Sequence, residues 1–188
     1  MTDTTALAFR RAAHAVACFE YGADVQDMNL DPAVPDKVSF GDGKASYLSA
    51  SVEDPHQRER AHGEKEVRIT LAASLSRKRL AGPAPDEADL EDDLDRVREI
   101  VWYLAGGWDG GEDEGQSRNL LRDETDAYVQ LLTVQTERLL DKRWPQVQTV
   151  ARALLDTGSL SGRAVRGVIV RSLLANSTPP PGIANASA

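Results

Sequence analysis

The sequence has one cysteine, Cys18, in 188 residues, so an intrachain disulfide and a multi-cysteine zinc cluster are both excluded. Aromatic residues make up only 5% and there are 2 methionines, which leaves aliphatic residues and alanine to build the core. The roughly 18 consecutive apolar residues of a membrane span occur nowhere, and the N-terminus lacks the basic, apolar, small-residue order of a secretory leader. A cytoplasmic protein with no membrane partner is expected. Basic residues are in deficit: 22 Lys and Arg against 30 Asp and Glu give a net charge of −8, which argues against nucleic-acid binding by bulk electrostatics. Familiar chemical signatures are missing too. Gly43-Lys44 is followed by Ala45 where a phosphate-binding loop needs Ser or Thr, no GxSxG nucleophile elbow is present, and Cys18 lies in an apolar helical segment where a thiol is inert core.

What is present is helical periodicity. Residues 4–21 carry Phe9, Ala12, Ala13, Val16 and Phe19 at a 3.6 period, with Thr4 or Thr5 to cap and Gly22 to stop. Val38-Ser39-Phe40 and Tyr47-Leu48-Ser49-Ala50, joined by Gly41-Asp42-Gly43, predict a small hairpin. Residues 53–63, with His56 and His62, predict a polar loop. Helices follow over 64–80 and 86–104, the latter with a stripe of Leu90, Leu94, Val97, Ile100, Val101 and Leu104. A glycine-rich acidic loop is expected over 105–115. An amphipathic helix carrying Ala127, Tyr128, Leu131, Leu132, Leu139 and Leu140 should end near Arg143, with Trp144-Pro145 opening another that Gly158 closes. Ser161 caps a last helix through Leu174, and residues 175–188 form a Pro- and Ala-rich tail expected to be disordered. The fold class is mainly α with a small β-hairpin or sheet, in one domain over 4–174. The acidity is local: seven acids lie between Asp86 and Asp95, and four more are Asp109, Glu112, Asp113 and Glu114.

The run Arg10-Arg11-Ala12-Ala13-His14-Ala15-Val16-Ala17 resembles the active-site helix of the FtsH-type zinc metallopeptidases, where a sequence like HEAGHAVVA holds two zinc-binding histidines one turn apart. Ala12, His14, Ala15 and Val16 agree with that pattern, and Ala17 keeps a small apolar residue in it. Arg10 stands in place of the first histidine, Arg11 in place of the general-base Glu, and Ala13 in place of Gly. Glu66 to Ser76 looks like the following family helix, and Asp92-Asp93-Leu94 is similar to the run that supplies the third metal ligand. Trp144 to Val165 resembles the closing pair of helices. The resemblance spans residues 6–174 and implies an FtsH-peptidase-like helical domain. Family members carry an ATPase motor and a membrane anchor; 188 residues hold the peptidase-like part and a tail only, so processive degradation is not expected.

The departures matter chemically. A catalytic zinc needs three protein ligands and a water, with a base beside it, and the resemblance leaves only His14 and Asp93 as vestigial ligands. An arginine in a ligand position puts a permanent cation where a divalent one belongs. Loss of the base alone costs ~10²- to 10⁴-fold in rate. Arg10 and His14 share a helix face, and if the third helix docks as in the family, Asp93 pairs with Arg10 in place of the metal. This reading is a catalytically inactive pseudopeptidase that binds or regulates and has no cofactor. Two alternatives stand beside it: an active zinc metallopeptidase with an atypical ligand set, and a helical interaction module that takes a protein partner or a second copy through Trp108, Glu112 and Asp113. Each site residue also has a plainer reading: His14 as a core histidine, Asp93 as part of a solvated acidic helix start, and Glu112 and Asp113 as a solvated loop lacking EF-hand spacing.

Overall fold

In a computed structural model of the chain, the described residues are 3–33, 55–81, 87–105 and 116–177. Helix α1 (Asp3–Tyr21) is rich in alanine, and Ala8, Ala12, Ala13, Ala15, Val16, Ala17 and Cys18 are buried along it. Such small side chains let neighbouring helices come close. Gly22 ends α1 at φ +71°, a value that costs glycine least. The Ala23 amide then donates to the Cys18 carbonyl at 2.8 Å and the Gly22 amide to that of Phe19 at 3.4 Å, which is a Schellman cap. The helix starts at Asp3, so Thr4 and Thr5 lie inside it, not at its cap.

Helix α2 (Pro55–Ala81) begins nine residues before the expected 64, and the predicted polar loop over 53–63 is corrected to helix from Pro55 onward. Proline suits a first helical position, and opposite charges one turn apart, Arg60 to Glu64 at 3.5 Å and Arg68 to Glu64 at 3.1 Å, support a helix with little apolar content. Helix α3 (Glu87–Leu104) falls where its stripe predicts, with Val97 and Val101 fully buried. The hairpin predicted over 38–50, the loop from Gly106 to Gly115 and the tail from 178 onward lie outside the described residues.

Helix α4 (Gln116–Thr157) contains Pro145, so the expected break at Trp144-Pro145 is corrected to one continuous helix. A proline inside a helix costs ~3 kcal/mol. Here Leu132, Thr136, Leu140, Val147, Val150, Ala151 and Leu154 are buried in one unbroken stripe through Pro145, and burial of even two such side chains outweighs that cost. Gly158, at φ +74°, closes α4 as predicted, its amide donating to Leu154 O at 2.8 Å. The Ser161 hydroxyl accepts from the Ala164 amide at 3.3 Å and caps α5 (Gly162–Ser177), which runs three residues past the expected Leu174.

The small sheet is formed by β1 (Met28–Asn29) and β2 (Ser159–Leu160), antiparallel, with Met28 opposite Leu160 and Asn29 opposite Ser159. It ties the segment after α1 to the α4–α5 joint. Gly162 makes that joint possible: a Cβ there would sit 2.0 Å from the Val25 carbonyl oxygen, and its amide donates to Asp27 Oδ1 at 2.8 Å. Helices α1, α2 and α4 pack on one another, α3 covers α2 and α4 at one end, and α5 covers α4 at the other. No helix among the described residues is long and apolar enough to cross a membrane.

Candidate functional site

The junction of α1, α2 and α3 brings together two of the residues singled out in the sequence. Arg10 Nη2 donates to Asp93 Oδ2 at 3.2 Å and to Oδ1 at 3.3 Å, and the two side chains are 29% and 20% exposed. Asp93 is thus not part of a solvated acidic helix start. Its second donor is Ser74, whose hydroxyl reaches Oδ2 at 2.6 Å. One carboxylate on α3 therefore clamps a cation from α1 and a hydroxyl from α2. Ser74 was not foreseen, because within Leu71-Ala72-Ala73-Ser74-Leu75 a serine looks like any small residue of a buried face.

Arg11 has a different task. It is 4% exposed; Nη1 donates to Asn29 Oδ1 at 2.8 Å and to the Asn29 carbonyl, and Nη2 donates to the Asp31 carbonyl at 2.7 Å. The same stretch is folded by side-chain turns, with the Asp31 amide on Asn29 Oδ1 at 2.9 Å and the Ala33 amide on Asp31 Oδ1 at 2.9 Å. The position that the resemblance gives to a general base is filled by a buried cation that pins β1. It holds carbonyls and accepts no proton.

His14 Nδ1 lies 3.8 Å from Cys18 Sγ, one turn along α1, and Cys18 is buried. Trp144 stacks on Phe9 with ring centroids 5.8 Å apart, and the Arg79 guanidinium covers it at 4.5 Å; it anchors α4 to α1 without marking a helix corner. His62 is exposed on α2. Trp108, Glu112 and Asp113, the candidate partner surface, and the side chain of His56 lie outside the described residues.

No match emerges for the chain, either among protein-family models or among curated proteins. The likeness to the peptidases rests on the residues quoted above. Their donor set does not fit a catalytic zinc: Asp93 is occupied by a guanidinium and a hydroxyl, Arg10 cannot lose its proton, and among the described residues no three His, Cys, Asp or Glu side chains come together.

A second polar assembly joins α2 to the first half of α4. Arg60 donates to Tyr128 Oη at 3.4 Å, Tyr128 donates to Glu64, and Arg68 bridges Glu64 at 3.1 Å and Gln135 Oε1 at 2.9 Å. Burial, and then the hydrogen bond to Glu64, raise the Tyr128 phenol above its ordinary 10.0. Tyr21, under the Arg68 guanidinium at 5.7 Å, is also raised, mainly by burial. These groups are interlocked with one another across the α2–α4 contact.

Proposed function

We propose that this chain is an FtsH-peptidase-like scaffold in which an ion pair has taken the place of the metal, making it a non-catalytic protein that works by binding. The observation that carries the reading is the Arg10–Asp93 pair, with Ser74 as its third member. In the resembling family the position of Arg10 supplies a zinc ligand and that of Asp93 another. Here the two neutralise each other.

The electrostatics favour exclusion of a metal over weak retention. Two unit charges at 4 Å interact by about 4 kcal/mol at an effective dielectric of 20, so a divalent ion beside the guanidinium meets roughly twice that in repulsion. Deprotonation cannot relieve it, since arginine stays charged. Arg11 adds a second cation on the same helix, and its grip on Asn29 and Asp31 supports a structural task at the former base position.

Metal content of the purified, untreated protein tests this. The expected outcome is no stoichiometric zinc and no chelator-sensitive cleavage of unfolded casein. Stoichiometric zinc that disappears in His14→Ala would overturn the reading, because the pair would then have to open to bind metal, and cleavage of unfolded casein that chelators abolish would support the active-peptidase alternative.

A further inference from the structure

The outer face of α4 carries a stripe that the other described elements leave uncovered. Leu131 is 51% exposed and Val134 38%, and Glu124, Ala127, Arg138 and Lys142 are exposed in line with them. At about 100° per residue these six positions fall within an arc of about 80°. That arc lies opposite the buried Thr125, Leu132 and Thr136. Their spacing of three and four residues is that of a helix–helix seam. Ala127 and Leu131, which the sequence pattern assigned to the apolar face, belong to this outer stripe.

Among the described residues, intramolecular cover stops short of it. Helix α5 runs back along α4: Thr149 and Ser172 hydroxyls are 3.5 Å apart, and Pro145 and Asn176 line the same α4–α5 groove of about 460 Å³. The described part of α5 therefore ends level with Pro145. The stripe from Lys142 back to Glu124 continues beyond that point.

We infer that this stripe is the contact between two copies of the chain, joined antiparallel through α4 about a twofold axis between Leu131 and Val134. The pattern is self-complementary in that arrangement. Leu131 meets Val134 of the second copy, and Ala127 leaves room for the stem of the opposing Arg138. Glu124 and Lys142 lie on the same flank of the stripe, and the twofold keeps flanks together, so Glu124 faces Lys142 of the second copy twice over. On the other flank Asp123 faces Asp141, whose charge is already taken by Arg79 at 2.5 Å. A parallel pairing would set Glu124 on Glu124 and Lys142 on Lys142. Two large aliphatic side chains per copy along about 28 Å of helix place the contact at the small end of specific interfaces, so association belongs in the micromolar range.

Sedimentation of the full chain across the micromolar range provides the test, with Glu124→Lys, Lys142→Glu and the double exchange. A concentration-dependent dimer, weakened roughly tenfold or more by either single exchange and restored by the double exchange, supports the antiparallel contact. Circular dichroism checks that these exposed variants remain folded, and Leu131→Glu should abolish the dimer without lowering helicity. A chain that stays monomeric throughout overturns the inference. So does a dimer that ignores the charge exchanges or is not rescued by the double one, since another surface would then hold it.

Discussion

The two ends of this molecule are built on different principles. At the α1–α5 end the core is broad and mostly small: alanines of α1 and Ala72 of α2 let helices approach closely, while Val16, Ile69, Val147, Val150, Leu154, Val165 and Ile169 fill the remainder. At the α3 end the apolar cluster consists of Val67, Leu71, Val97, Val101 and Leu132, and the Arg60–Tyr128–Glu64–Arg68–Gln135 ladder adds polar contacts between α2 and α4. Leu75 touches both clusters. Among the described residues α5 and the β1–β2 sheet cover the first end, whereas Leu131 and Val134 stay exposed on α4 at the second. An apolar core tolerates no gap, while a polar ladder tolerates solvent. The junction of Arg10, Ser74 and Asp93 stands where the two meet.

The sharpest way to break the closed end is Gly162→Ala. With a methyl 2.0 Å from Val25 O, the α4–α5 joint must move away from the segment it caps. We expect a loss of ~3 kcal/mol and a melting temperature lower by roughly 6–12 °C, measured by calorimetry. A substitution of similar size at the exposed Ala127 should leave the melt nearly unchanged.

The junction between the ends responds to a double-mutant cycle. Arg10→Met and Asp93→Leu should each cost about 2 kcal/mol in urea unfolding, below the ~3–5 kcal/mol of breaking a fully buried pair because both groups keep some exposure. The double variant should recover most of the loss, since no unpaired charge remains. Two single losses that simply add would mean that the pair contributes nothing as a pair.

The ladder at the α3 end gives the smallest effect and the one tied to pH. The Tyr128 phenol is raised in the folded state, so the folded protein favours its neutral form. That contribution is fully present below the ordinary 10.0 and is lost as the pH rises through the folded-state value, where a phenolate would face Glu64. Stability measured against pH should fall on the alkaline side, and Tyr128→Phe should make the fall shallower while lowering stability slightly at neutral pH.

Local chemistry explains what was legible in the sequence. Gly22, Gly158 and Ser161 mark helix ends by conformational and hydrogen-bonding preferences that act over a few residues, and the stripe of α3 is regular enough to set its bounds. The Arg10–Asp93 contact spans 83 residues; no periodicity indicates it, and it followed from a resemblance that places both helices at one junction. What escaped depends on distant neighbours. Pro145 looks like a helix start until the stripe on both sides is seen to stay in phase. Two-residue strands such as Met28–Asn29 have no period, and their partner lies across the whole chain. Arg11 looks like a surface cation until Asn29 and Asp31 fold over it, and Ala127 and Leu131 are apolar residues that no described element covers.

The central claim, that an ion pair has replaced a metal, is met most directly by zinc analysis of Arg10→His beside the unaltered chain. That substitution removes the guanidinium, frees Asp93, and places an imidazole one turn from His14. The account predicts no zinc in the unaltered chain and about one zinc per chain in the variant, from the three-ligand requirement of such sites. Zinc already bound to the unaltered chain and lost in His14→Ala, or an Arg10→His variant that folds and takes up none, would contradict it.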